Sequence, residues 1–404
     1  MKSSDVDRIT NWIVRRGLQG AQEADLLREF CEKCNAAELP IARALVVIDT
    51  LHPVHEGTVF RWRNDDVEEK AATNYGRTTE GEAAESWHRS PFYHLLQAGG
   101  EELRRRIGDG EPADFSIIQD MKDQGHTDYM VFVYRFANDA TIGEMDCVYS
   151  GWSTRCPGGF SDEGVAALRL LVPALALAIK SAALTNIAHT LVETYLGRDA
   201  GQRVLGGRTQ RGVADRIEAA LWFSDLRGYT TITDTAPPGE IIPLLNDYAE
   251  AAITAIHEAG GDVLKLIGDG TLALFRADDP AEACSRALQA EANLRLRIRE
   301  LNERRKAEER PVTSVYIGLH VGEVFYGNVG SVDRLDFTVV GPAVNETSRI
   351  ASMCRSADRS ILVSSAFAAS LSAAERTTLV SVGRFALRGV GRAQELFTLD
   401  PELL

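Results

Sequence analysis

The chain of 404 residues is short of cysteine, of positive charge and of long apolar runs, and each shortage removes a class of function. Six cysteines, Cys31, Cys34, Cys147, Cys156, Cys284 and Cys354, are too sparse for the disulfide framework of a small secreted domain. Cys31-Glu32-Lys33-Cys34 has the spacing of half a zinc site, but no second Cys or His pair stands at a matching distance and no HExxH pattern occurs. The two thiols therefore read as one buried face of an amphipathic helix. With 44 Lys and Arg against 58 Asp and Glu, a net charge of −14 argues against a nucleic-acid surface, which needs clustered bases. No apolar signal-peptide core opens the sequence. The longest purely apolar run, Leu170 to Ile179, is too short to span a bilayer and contains Pro173, so a cytoplasmic protein without a membrane span is expected. His88 and His94 flank Trp87 and Phe92-Tyr93 and read as histidines packed beside aromatics rather than as haem ligands.

What is present is apolar material, 45% of the residues, enough for the cores of two or three domains. Residues 1–160 read as a mixed α/β, sensor-like domain, with helices over Asp5–Arg16 and Ala24–Ala36 and strands over Ala42–Asp49, Gly57–Trp62, Tyr129–Phe136 and Glu144–Trp152. Ser161, followed by Asp162 and Glu163, has the character of a helix cap and first turn. The helix it starts is expected to run toward Gly197, kinked or truncated at Pro173, and to bury more than one side, against the N-terminal sheet and against a second copy of itself. Residues 161–214 form this connector and dimerisation segment. From 215 to 404 strands and helices alternate: a strand at Ala219–Phe223, a helix at Gly239–Ala259, a hairpin within Val263–Phe275 and a helix at Pro280–Arg305. Two strands at Thr313–His320 and Val324–Gly327 follow, then a strand at Phe337–Val340, a helix at Asn345–Cys354 and strands ending at Leu396–Leu399. The pattern favours an α+β domain, an α/β sandwich on a mainly antiparallel sheet.

Two carboxylates stand out in that second half. Asp225, in Phe223-Ser224-Asp225-Leu226-Arg227-Gly228, and Asp269, in Lys265-Leu266-Ile267-Gly268-Asp269-Gly270, each close an apolar, strand-like run and are followed by a glycine that lets a phosphate approach the backbone. One such Asp is ordinarily a turn former. Two so placed are where a pair of hard cations would be held, because carboxylate oxygens suit Mg²⁺ or Mn²⁺, and two ions about 3.5–4 Å apart activate an attacking oxygen while neutralising a leaving one. The pattern points to chemistry on a polyphosphate.

Downstream stand Asp336-Phe337-Thr338-Val339-Val340-Gly341-Pro342-Ala343-Val344-Asn345-Glu346-Thr347-Ser348-Arg349 and, near the end, Arg388-Gly389-Val390-Gly391. In this order and spacing the segments resemble the class III nucleotidyl cyclase catalytic domain over roughly half of the chain. The resemblance implies a ferredoxin-like core, and an N-terminal half whose order of elements resembles, loosely, a GAF or PAS domain. It also implies an adenylyl cyclase that converts ATP to 3′,5′-cyclic AMP and pyrophosphate, with two Mg²⁺ or Mn²⁺ per site on Asp225 and Asp269.

The same resemblance gives the other residues their roles. Lys265 takes the place of the residue that reads the purine, where a donor satisfies adenine N1. Thr338 would accept from the exocyclic amine, and it resembles the subgroup of cyclases stimulated by bicarbonate. Asn345 and Arg349, four apart on a helix, face one way, to hold the ribose and to stabilise charge on the α-phosphate. Arg388, and Arg334 from the loop before Thr338, would grip the outer phosphates. Glu346 and Thr347 depart from the family, where small apolar residues are commoner. Because the family puts its metal aspartates and its Lys/Thr and Asn/Arg groups on opposite partners, a homodimer with composite sites is implied, as is a regulatory N-terminal domain with a small ligand of its own. The rivals are a guanylyl cyclase and a catalytically inactive nucleotide-binding signalling module; a diguanylate cyclase lacks support because its Gly-Gly-Asp/Glu-Glu-Phe signature is absent.

Overall fold

The computed structural model describes residues 1–65, 69–79, 81–112, 114–137 and 141–401, which fall into two compact units, 1–191 and 192–404. The division lies inside the helix Asp162–Leu196.

In the first unit a six-stranded antiparallel sheet runs in the order Ala72–Tyr75, Gly57–Arg63, Arg43–Asp49, Cys147–Thr154, Asp128–Arg135, Glu102–Arg105. Its two central strands and Asp128–Arg135 carry the apolar runs visible in the sequence. The edge strands Ala72–Tyr75 and Glu102–Arg105 are four residues each and polar, so they show no alternation to read. One face packs Trp152 against Phe30 and the long helix through Leu168, Leu171, Leu175 and Ile179. Cys31 and Cys34 lie fully buried in that cluster, and burial pushes both thiols above their ordinary range, away from the reactive thiolate. The other face packs Phe92, Ile118, Met121 and Tyr149.

The helix Asp162–Leu196 starts where Ser161 Oγ accepts the Gly164 N–H at 3.1 Å, and it continues through Pro173 without a break. Pro173 is exposed, so the carbonyl it leaves without a donor can be solvated instead. By length and composition this is the one helix among the described residues able to cross a membrane, and half of its most apolar stretch is buried within the fold. Leu170 and Leu177 stay 64% and 69% exposed and, with Pro173, form a narrow apolar stripe.

The second unit is built on β-α-β-β-α-β order: Ala214–Leu226, Pro238–Glu258, Asp262–Ile267, Gly270–Phe275, Pro280–Ala307 and Val315–Gly330. These four strands lie side by side, all antiparallel, with Ala214–Leu226 and Gly270–Phe275 in the centre. Ile361–Ser364 adds in parallel to Val315–Gly330, followed by Gln394–Leu399 and Leu379–Phe385, and Leu335–Val340 pairs with the distal half of Val315–Gly330. The two strands expected at Thr313–His320 and Val324–Gly327 are one. Gly322, which reads as a break, pairs in register with Ala219, and a β-carbon there would stand 3.0 Å from that of Ala343.

Alternation sorts the central strands onto two faces. Ala220, Trp222, Ala273 and Phe275 pack under the helices Pro238–Glu258 and Pro280–Ala307, whose Leu244, Tyr248, Ile256, Ala287 and Leu294 complete one core. Leu221, Leu272 and Leu274 face the other way, onto Tyr326, Phe337, Val339 and Ala343. The distal halves of the long strands therefore curl back over the hairpin. The helix Pro342–Ala357 lies on this second side so closely that a β-carbon on Gly318 would meet the Ala351 nitrogen at 2.5 Å.

Candidate active site

Pairing fixes the two aspartates. Asp225 stands opposite Tyr316 near the end of Ala214–Leu226, and Ser224 stands opposite Thr271 in the next strand. Asp269 is the second residue of the two-residue turn joining Ile267 to Gly270; the tip is Gly268-Asp269, with Gly268 at φ +63°, not the Asp-Gly dipeptide. Gly270 has no room for a side chain, since a β-carbon would lie 3.0 Å from the Ser224 carbonyl oxygen. The Leu226 N–H donates to Asp269 Oδ2 at 3.3 Å and fastens the turn to the neighbouring strand. Both carboxylates line one cleft of about 190 Å³, walled by Ile242, Leu245 and Tyr248 of the helix Pro238–Glu258.

Burial, and after it the nearby Asp269 carboxylate, push the Asp225 carboxyl up to about 6. No Lys or Arg makes an ion pair with either aspartate among the described residues. Two half-buried carboxylates that repel each other, both hard oxygen donors, fit a divalent cation, whose charge would remove the repulsion. No group of three or more His, Cys, Asp or Glu side chains suited to a metal exists among the described residues, so a cation held by these two carboxylates would take its other ligands from outside the chain.

Lys265 lies on the side of the sheet that carries Leu221 and Leu272. A bulge between Val263 and Lys265 sets Lys265, not Leu264, opposite Leu272, on the face that packs against Phe337. There its ammonium pairs with Asp336, and burial, with the charge of Arg334, lowers its pKa. Thr338 is buried two residues along the same strand, opposite Gly327. Asp336 carries no signal by itself in the sequence; its charge, opposite to that of Lys265 and two residues before Thr338, is the available clue.

Asn345 and Arg349 lie on the helix Pro342–Ala357, Asn345 exposed and Arg349 half-buried. The Arg349 guanidinium rests against the backbone of Gly389, where a β-carbon would stand 3.3 Å from Nη1, so the loop that carries the exposed Arg388 is brought to Arg349. Arg334 is exposed on the turn between the distal strands. The departures at Glu346 and Thr347 are accommodated. Thr347 is fully buried and donates to the Ala343 carbonyl at 2.8 Å, while Glu346 accepts from Gln394 at 2.9 Å and lies 3.5 Å from His320 Nε2. The structure thus gathers the candidates into three groups: Asp225 with Asp269, Lys265 with Thr338 and Asp336, and Arg349 with the Arg388 loop.

Residues 214–400, the segment that carries this sheet and its two strand-end aspartates, match the adenylate and guanylate cyclase catalytic domain. That segment belongs to this family. An adenylate cyclase of Anabaena cylindrica is 37% identical over 172 residues, 42% of this chain and 34% of that protein. An uncharacterized protein of Mycobacterium tuberculosis is 32% identical over 182 residues, 43% of this chain and 32% of that protein. The chain thus spans about a third of the length of the curated relatives it matches. Among solved structures, the adenylyl cyclase CyaB from P. aeruginosa aligns with 46% of this chain and 96% of its own at 22% identity and a TM-score of 0.42. A bacterial light-regulated adenylyl cyclase aligns with 63% of this chain and 83% of its own at 21% identity and a TM-score of 0.49.

Proposed function

We propose that the chain is an adenylyl cyclase that makes 3′,5′-cyclic AMP and pyrophosphate from ATP at sites shared between two copies, under control of residues 1–160 through the connector 161–214. One observation carries this reading: Asp225 and Asp269 stand together at one cleft, whereas Lys265 is held by Asp336 beside Thr338 in a separate group on the distal strands. A nucleotide whose phosphates lie at one set and whose base lies at the other is bridged by two chains in two-fold symmetry more readily than by one. The exposed stripe of Leu170 and Leu177 offers the connector a surface for the same pairing.

Asp225 and Asp269 would hold two Mg²⁺ or Mn²⁺, which when bound supply a lowered pKa for the ribose 3′-hydroxyl and positive charge against the triphosphate. Lys265 Nζ donates to adenine N1 and Thr338 Oγ1 accepts from the exocyclic amine. Guanine, with N–H at N1, would set a donor against the Lys265 ammonium. Asn345 holds the ribose. As the 3′-oxygen bonds to the α-phosphorus and the bond to the β-phosphate oxygen breaks in line, the Arg349 guanidinium takes up charge on the α-phosphate, and Arg388 and Arg334 take up charge on the departing pyrophosphate.

The test is turnover by the purified chain with ATP and with GTP in Mg²⁺ and Mn²⁺, beside Asp225→Asn and Asp269→Asn. Cyclic AMP formation that either variant abolishes, at unchanged thermal stability, supports the reading; near-normal turnover by either variant, or cyclic GMP as the main product, overturns it.

A further inference from the structure

The first unit contains a cavity of about 430 Å³ that has no part in the cyclase chemistry and has the size of a small-molecule site. We infer that it binds a small organic cation, an amine or quaternary ammonium with an apolar group attached. This gives a chemical class to the ligand of the regulatory half proposed above, and only its regulatory meaning rests on that proposal.

The walls are aromatic. Trp87 from the helix Gly81–His88 and Phe92 from the helix Pro91–Gln97 meet Tyr149 of the central strand Cys147–Thr154 edge to face, with ring centroids 5.2 and 5.6 Å away. Such rings present apolar area together with a negative π-face to a cation.

The polar groups are acidic. Asp49, at the end of Arg43–Asp49, and Glu56 are each only 8% exposed, and Glu144 and Asp146 stand exposed at the mouth. The Tyr75 hydroxyl donates to Asp49, and Glu56 accepts the Thr78 N–H at 2.7 Å and the Thr78 hydroxyl. These are neutral donors, and no ion pair reaches Asp49, Glu56 or Asp146 among the described residues. Arg61, among the described residues the one base in the lining, is committed to Glu69 at 3.5 Å and to Thr73 at 3.1 Å, and Arg77 meets Glu144 at 3.3 Å.

Charge buried without compensation is costly. Here the cost is visible at Asp49, whose carboxyl is pushed up to about 7 by burial and by the charges of Glu56, Asp146 and Glu144, against the Tyr75 hydrogen bond. A cation entering the cavity removes it, whereas an anion or a nucleotide meets four carboxylates. A bare divalent ion would answer the charge but leave three rings without a use, since it seeks six or more oxygen ligands. A cation with an apolar group answers both.

The probe is benzyltrimethylammonium, titrated calorimetrically into the full chain at low salt, with benzyl alcohol as the neutral comparator and Ca²⁺ alone as the metal comparator. Saturable binding of one probe per chain is expected, at least tenfold tighter than benzyl alcohol, unaffected by Ca²⁺, and weakened tenfold or more by Asp49→Asn and severalfold by Trp87→Leu. Asp146→Asn, at the exposed mouth, tests charge without touching the buried groups and should weaken binding about threefold. Absence of saturable binding, benzyl alcohol binding as tightly, displacement by Ca²⁺, or affinity unchanged in Asp146→Asn overturns the inference. Binding heat is read without turnover, so this result and the cyclase result can fail separately.

Discussion

Lys265 and Asp336 form an ion pair across the hairpin strand and the distal strand, so the residue expected to read the base already has an anionic partner beside Thr338. Lys265→Glu sets two carboxylates against each other and puts an acceptor where adenine N1 needs a donor. A loss of tenfold or more in kcat/KM with ATP is expected, with a smaller loss for GTP. Adding Asp336→Lys restores the pair in reverse and should recover thermal stability without recovering ATP turnover. Equal losses on both nucleotides, or recovered turnover in the double variant, would show that Lys265 serves only the fold.

Asp225→Ala and Arg349→Ala should each be nearly inactive alone, because every site in either homodimer would lack one essential group. Mixed, they should complement. With random exchange about half the dimers pair unlike chains, each with one intact site of two, so roughly a quarter of wild-type activity returns. A mixture in which subunit exchange is demonstrated and activity stays absent would place all the catalytic groups in one chain.

Gly389 combines φ +72° with a β-carbon position 3.3 Å from Arg349 Nη1. Gly389→Ala therefore strains the loop by about 1 kcal/mol and displaces the guanidinium by a few tenths of an ångström. A severalfold fall in kcat with little change in melting temperature is expected, while Gly391→Ala, in open space, should behave as wild type. Identical kinetics for the two variants would detach the Arg388 loop from Arg349.

Glu291, on the helix Pro280–Ala307, is 3% exposed; burial raises its carboxyl to about 7 against the opposing charge of Arg295, 3.6 Å away. The folded pKa exceeds the unfolded one of about 4.3, so the folded state holds the proton more tightly between them. Stability from this group is complete below that lower value and is lost as pH rises through about 7. Glu291→Gln should match wild type in urea unfolding near pH 4.5 and exceed it at pH 8, by up to about 3 kcal/mol. A pH-independent gap would mean that the group does not titrate there.

Much of this was legible in residues. The apolar runs before Asp225 and Asp269 announced strands, and the pattern from Pro280 to Arg305 announced a helix, because periodicity is a local signal. The sequence reading stopped where partners are distant. Asp336 is an ordinary strand residue until the distal strands curl over Lys265, and Gly322 reads as a break until Ala219 pairs with it. Arg349 and Gly389 are forty positions apart, and only the lie of the helix Pro342–Ala357 joins them. The cavity beside Asp49 was hidden because its four acids come from three segments, each acid unremarkable among so many in a chain of net charge −14.

The bulge before Lys265 and the turn at Gly268 amount to a single choice of parity. With the bulge, Lys265 faces Leu272, Leu266 faces Thr271, and two residues remain for the turn. Without it, Leu264 would take the place opposite Leu272, three residues would be left to turn the chain, and Lys265 would swing round to the face under the helix Pro238–Glu258, away from Asp336. The two arrangements differ by a slip of one position, and a two-residue turn whose first residue is left-handed, as Gly268 is, admits only the first. Whether Lys265 meets Asp336 is thereby decided at a glycine, through whether the count of residues before it comes out odd or even.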